Sequence, residues 1–184
     1  AGGGWINEDT PANPENPRLR ARMLAEQGWA DLARQTGADL AILRLAGIYG
    51  PGRSAFDKIE AGTARAIIKP GQVFNRIHKD DIGALTAKAA TSGLSGLYNL
   101  ADAEPAPPQD VLSEAARLLD VPPPPAVEFS QAQLSPMAQS FYAANRRVAG
   151  SRILEALDAQ LLYPTYREGL AAILAERQAA HPAD

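Results

Sequence analysis

The sequence contains no cysteine and only two histidines, His78 and His181. The first absence removes disulfides, thiolate metal sites and cysteine nucleophiles together, and it suits a reducing, cytoplasmic setting. The second leaves too few imidazoles for a histidine-built metal centre, so no metal site is expected. Lysine-rich runs are lacking too, the arginines are scattered, and the formal charge is −3. With no general attraction to phosphate backbones or anionic lipid, neither nucleic acid nor a membrane is an expected partner. No apolar run approaches the ~20 residues that a membrane span requires, and no positively charged apolar leader opens the chain. What remains is an ordinary globular composition, 46% hydrophobic and 21% charged over 184 residues, enough for one domain with a real core.

Residues 1–17 hold Gly2, Gly3, Gly4, Pro11, Pro14 and Pro17 and read as loop. Asn16 before Pro17 supplies an N-cap and a first-turn proline, predicting a helix from Arg18 to Gln35 that stops at Gly37. Leu19, Met23, Trp29, Ala30 and Ala33 form its apolar stripe, opposite Arg18, Arg22 and Arg34. The near-continuous apolar run Asp39–Leu45 predicts a central parallel strand covered on both faces, running into a turn over Gly47–Gly52. Phe56–Ala66 is expected to be helical and Val73–His78 extended, with Asp80 or Asp81 capping a helix that reaches Thr91. Gly96–Leu100 reads as a second short buried strand, and Pro108–Leu119 as a helix ended by the run Pro122–Pro125. Val127–Phe129 reads as a strand; Pro136–Tyr142, Ser151–Leu157 and Tyr166–Gln178 read as helical pieces. This alternation implies an α/β layered fold, yet two or three short apolar strands are too few for so many helices. The pattern reads as part of a larger sheet.

Four segments stand in a telling order: Leu43–Gly52 (Leu-Arg-Leu-Ala-Gly-Ile-Tyr-Gly-Pro-Gly), Phe74–Asp81, Tyr98–Asp102 and Tyr163–Leu170. Together they resemble the C-terminal half of extended short-chain dehydrogenase/reductases of the NAD-dependent epimerase/dehydratase type, over residues 1–178. The resemblance implies a partial Rossmann-type NAD(P)-binding fold with a small C-terminal substrate lobe and without its Gly-rich N-terminal half. Residues 1–55 and 75–103 would be Rossmann-side elements, and 56–74 and 104–184 the substrate lobe. It further implies NAD or NADP as cofactor, a small-molecule substrate, and a homodimer through the helix carrying Met23 and Trp29. Carried over, Leu45, Ala46, Gly47 and Ile48 would lie beside the nicotinamide. Small residues there let the backbone approach a flat ligand at the carboxyl end of a parallel strand. The competing account is a tight turn that needs Gly47, Gly50 and Gly52 for positive φ.

His78 falls in a family signature whose Asp pair caps a helix, which favours a structural histidine over a general base. Arg53 and Arg76 lie on the expected ligand side, where guanidinium forks suit phosphate or carboxylate; an exposed salt bridge to Asp57 or Glu60 is the competing role. Tyr163 and Tyr166 read as packing residues, and Phe141 and Tyr142 as core contacts with a pocket-lining alternative. The departures are as informative. The family's catalytic tyrosine and lysine are replaced by Arg18 and Arg22. Arginine stays protonated and cannot serve as an ordinary general acid or base, although Arg22 keeps a cation where the lysine holds the nicotinamide ribose. The turn that cradles the pyrophosphate is missing, and roughly 90–100 residues, about three strand–helix–strand units, are expected upstream or in another chain. Two readings therefore stand: an NAD(P)-dependent oxidoreductase or epimerase acting on a small anionic hydroxyl- or carbonyl-bearing substrate such as a sugar nucleotide, or a non-catalytic dinucleotide-binding sensor or scaffold.

Overall fold

The structure is a computed structural model that describes residues 2–14 and 16–180, so His78 is the one histidine within it. Helix α1 (Pro17–Thr36) begins where the Asn16 side chain accepts the Leu19 amide at 2.9 Å. It ends where Gly37 takes φ 70°, as the Asn-Pro start and glycine stop predict. No residue of α1 is buried. The Arg44 guanidinium grips the Glu26 carboxylate, with Nη2 to Oε2 at 2.6 Å, and so ties the helix to strand β2 (Ala41–Leu45). The N-terminal segment is not wholly loop. A two-residue strand, β1 (Trp5–Ile6), pairs in parallel with Arg147–Val148, and the buried Glu8 carboxylate accepts the Asn99 amide at 2.8 Å.

Strand β2 pairs in parallel with Gly96–Leu100, from Ala41 against Gly96 to Leu45 against Leu100. It is only half-buried, and Leu45 is 42% exposed, which corrects the expectation of a strand covered on both faces. The physical reason is that the described residues supply a single neighbouring strand. The chain then changes partners. The Ala46 amide still donates to the Leu100 carbonyl (2.9 Å), but the Gly47 amide donates to Asn75 (3.0 Å). From there β3 (Gly47–Tyr49) pairs in parallel with Arg76–His78, so the turn expected from Gly47 starts only at Gly50.

Helix α2 (Ala55–Glu60) is capped by a reciprocal box in which Asp57 accepts from both the amide and the hydroxyl of Ser54. It is shorter than the expected Phe56–Ala66 helix. Gly62 turns the chain at φ 65°, and Ala66–Ile68 forms strand β4, which finds its partner in Ala126–Glu128. The remaining strands are β5 (Arg76–His78), β6 (Gly96–Leu100), β7 (Ala126–Glu128) and β8 (Arg147–Val148), and every strand pair is parallel. The remaining helices are α3 (Lys79–Thr91), α4 (Pro108–Leu118), α5 (Pro136–Ala143), α6 (Ser151–Leu157) and α7 (Tyr166–Ala180).

Three clusters form the core, the smallest being Ala64, Ala66 and Leu112. Ile77, Leu85, Leu100 and Ile153 pack α3 and α6 against the strands. Phe56, Val111, Ala115, Tyr166 and Leu170 join α2, α4 and α7, with Tyr49 reaching in from β3. Tyr49 meets α7 at Gly169, where a Cβ would fall on the tyrosine hydroxyl. Gly169→Ala should therefore cost about 1–3 kcal/mol, the usual range for overpacking, and lower the thermal midpoint. An unchanged midpoint would show that α7 can shift to make room.

Candidate functional site

The carboxyl end of the parallel pair β2–β6 is open. Leu45 (42%) and Ile48 (36%) are exposed with Gly47 between them, and Ala46 is half-buried. Of the four residues proposed for the nicotinamide, Leu45, Gly47 and Ile48 thus make an exposed apolar ledge, while Ala46 packs against the core. Gly47 and Gly50 do not have positive φ; in this turn only Gly52 does, at 75°. A Cβ on Gly47 would lie 3.0 Å from the Asn75 carbonyl, and one on Gly50 would strike Lys79 at 2.8 Å. Close approach of the Asn75 backbone, not turn conformation, favours glycine at 47, whereas at 50 the neighbour is a flexible, half-exposed lysine side chain.

Strand pairing then sets a second group side by side, with Gly47 against Arg76 and Tyr49 against His78. Arg76 turns its guanidinium inward, donating to the carbonyls of Phe74 (2.9 Å) and Ala106 (3.2 Å). Burial pushes this guanidinium below the ordinary arginine range, with nearby Asp102 pulling the other way. Asp102 is 2% exposed, and neither carboxylate oxygen has a hydrogen-bond partner among the described residues. Burial raises it to about 7, against the pull of Arg76.

His78 is buried, and its Nδ1 accepts the Asp80 amide at 3.3 Å, so the histidine itself caps α3. That corrects the expectation that Asp80 or Asp81 does so. Asp81 instead accepts the amides of Leu162 (2.6 Å) and Tyr163 (3.3 Å). The imidazole lies between Tyr163 (ring centroids 4.2 Å apart) and Tyr49 (5.0 Å), which supports the structural role. Burial lowers its proton affinity.

The other candidates stay apart from this group. Arg53 is exposed on the Gly50–Arg53 turn, and Arg18 and Arg22 are exposed on α1. No side-chain hydrogen bond or ion pair holds any of these three among the described residues. The competing salt bridge of Arg53 or Arg76 to Asp57 or Glu60 is not formed, because Arg177 takes both carboxylates, at 2.6 and 2.7 Å. No cluster of acidic and histidine side chains placed to hold a metal occurs among the described residues.

A further concavity of about 740 Å³ opens in the C-terminal lobe between Lys69, the turn at Phe129–Gln131 and α5. Of the adjacent aromatic pair, Tyr142 is 8% exposed and lines it, whereas Phe141 is 57% exposed and does not. Sequence reasoning gave no role to Lys69 or Phe129, since neither belongs to a spaced motif.

No family model matches the chain. It is 27% identical over 188 residues to a 3-diazoavenalumate denitrifying reductase from a Streptomyces species, a match spanning 90% of this chain and 58% of that protein. A conserved protein of unknown function from Silicibacter pomeroyi DSS superposes with a TM-score of 0.88 at 47% identity, over 97% of this chain and 62% of that one. The human epimerase family protein SDR39U1 with NADPH superposes with a TM-score of 0.75 at 18% identity, over 95% and 61%. The chain thus spans about three fifths of the length of the proteins it matches.

The buried acid gives a test of the site's electrostatics. With its folded value raised from 3.8 to about 7, Asp102 holds a proton in the folded state that the unfolded chain has already lost. Its effect is destabilising and grows as pH rises from about 4 to about 7, at most ~1.4 kcal/mol per pH unit. His78, with its lowered value, works oppositely: its contribution is lost as pH falls through the ordinary histidine range. Asp102→Asn should therefore gain in thermal midpoint relative to the parent between pH 5 and pH 8. A midpoint difference that does not vary with pH would show that Asp102 is ionised in the folded protein throughout.

Proposed function

The chain carries the fold of the C-terminal part of an atypical extended short-chain dehydrogenase/reductase of the NAD-dependent epimerase/dehydratase type, and from that premise we propose that the intact protein binds NAD(P). Its chemistry in this reading is redox or epimerase conversion of a small, anionic substrate bearing a hydroxyl or carbonyl, in a cytoplasmic setting. The observation that carries the reading is the exposed ledge of Leu45, Gly47 and Ile48 at the carboxyl end of parallel strands, where open α/β sheets receive ligands. An apolar ledge without side-chain bulk at its centre fits a flat heteroaromatic ring.

In this reading Leu45, Ala46, Gly47 and Ile48 exclude water from one face of the nicotinamide, and Arg22 donates to its ribose. When bound, the nicotinamide supplies or accepts a hydride. Arg53, exposed beyond the turn, meets the negative charge of the substrate. Arg76 acts from behind, since its guanidinium is engaged by two carbonyls and contributes mainly its field. Among the described residues no tyrosine stands on α1 to exchange a proton with substrate. The free, exposed guanidinium groups of Arg18 and Arg22 favour a second reading, a dinucleotide sensor or scaffold, because holding a ligand requires no proton donor.

Titration of the intact protein with NADH and NADPH, followed by fluorescence, tests the common premise. Arg22→Ala should weaken binding roughly tenfold, about 1.4 kcal/mol, the order expected for one charge-assisted hydrogen bond. Failure to bind either dinucleotide would end both readings. Binding without any change in nicotinamide absorbance across sugar nucleotides and hydroxy acids would leave the sensor.

We further propose that two copies associate through α1, the dinucleotide half of each being supplied upstream or by another chain. No residue of the helix is fully buried, Met23, Ala30 and Ala33 are half-buried, and Leu24 at 73% and Trp29 at 61% are exposed, an apolar surface suited to a partner. Met23→Glu should convert a dimer to a monomer in sedimentation or light scattering; a mass that does not change removes α1 as the interface.

A further inference from the structure

The lobe concavity has a definite chemical character. Phe129 and Tyr142 line it with ring centroids 5.1 Å apart at 37°, and Tyr142 is held from behind by Phe74, edge-on at 5.1 Å. The aromatic wall is therefore braced rather than free to collapse. Lys69 is the sole charged side chain lining the space, among the described residues. Its ammonium sits 5.0 Å from the centre of the Phe129 ring and donates to the Tyr142 carbonyl. An ammonium has three donors, so two remain for a ligand. The positive charge of Arg76 also reaches Tyr142, opposing the upward push that burial gives its hydroxyl. Around the rim, Gln139 spends a donor on Leu134 (3.0 Å) and Ser140 spends its hydroxyl proton on Met137 (2.7 Å). What these two side chains turn to a ligand is mainly acceptor capacity.

We propose that this concavity binds a planar aromatic carboxylate, its ring against Phe129 and Tyr142 and its carboxylate on Lys69. The ring gains from stacking on a braced aromatic wall, and the carboxylate from a cation that no acidic neighbour in the pocket neutralises. Hydroxyls on the ring would donate to Gln139 and Ser140. A neutral sugar or a neutral ring would leave Lys69 unused. The inference places the substrate's carboxylate on Lys69 instead of Arg53, and rests on the function proposed above only for calling the ligand a substrate.

Calorimetry on the intact protein tests it with four probes: 2-naphthoate, 2-naphthalenemethanol, cyclohexanecarboxylate and UDP. The expected result is that 2-naphthoate binds about tenfold more tightly than the neutral ring or the non-aromatic acid, and more tightly than UDP. Lys69→Met should remove that tenfold for 2-naphthoate and leave 2-naphthalenemethanol unchanged, while Lys69→Arg restores most of it. Phe129→Leu should weaken both naphthalene compounds alike. Undetectable binding of 2-naphthoate to the parent protein, equal binding of the two acids, a preference for UDP, or a Lys69→Met variant that binds as the parent does would each overturn the proposal. Dinucleotide binding is read separately. A protein that takes NADPH but not 2-naphthoate loses this inference and keeps the proposed function; the converse result loses the function and keeps the site.

Discussion

The Asp81 carboxylate, at 1% exposure, collects the amides of Leu162 and Tyr163 and so joins the first turn of α3 to the turn that launches α7. Much else follows from that junction. It sets Tyr163 on the His78 ring and starts α7 with Tyr166 buried. It also brings Gly169 against Tyr49. Removing the acceptor would leave two amides of a part-buried turn without this partner, each costing at most about 1–3 kcal/mol. Burial raises the proton affinity of Asp81, while the two amides act in the opposite direction and favour its charged form. The Arg117–Glu114 pair is comparably short at 2.7 Å and matters far less, because water screens its exposed guanidinium.

The lobe is attached to the sheet in a different manner, through neutral amide side chains standing in for backbone. Asn75 donates to the Arg146 carbonyl (3.0 Å) and accepts the Val148 amide (2.7 Å). Gln72 reaches Ala144 (2.9 Å), and Asn145 bridges Val73 and Gly71. These contacts carry no net charge, so salt and pH barely touch them. They hold residues 144–148 alongside β5 and fix the helix carrying Tyr142 relative to Phe74. The ledge beside β2 and the concavity beside α5 are thereby parts of one framework.

The sequence showed most of what local chemistry decides. Asn16-Pro17 and Gly37 bracket α1, and the apolar run to Leu45 marks β2. Gly96–Leu100 is a strand as read, and the proline at 108 opens α4. What stayed illegible depends on distant partners. Ala66 ends the stretch Phe56–Ala66 that reads as helix; it instead opens the strand Ala66–Ile68, because Ala126–Glu128 comes to lie beside it. Asp81 looks like a cap, and it is drawn away by amides from residues 162 and 163, which leaves His78 to cap α3. In the site, the ledge was legible from the small residues before Tyr49. Lys69 was not, since its meaning arises only when Phe129 and Tyr142 fold over it.

The stretch Ala41–Tyr49 gives its first five residues to β6 and its last three to β5, with Ala46 as the handover. It behaves as a ruler of fixed length. One residue added at the handover would invert every side chain beyond it, sending Tyr49 outward to the ledge and Ile48 inward against Gly169. A later insertion, within Pro122–Pro124, would meet no such constraint, because those residues lie outside any strand or helix. Exposed side chains along Ala41–Tyr49 can therefore be exchanged, Gly47 and Tyr49 excepted, but changes in length must fall elsewhere.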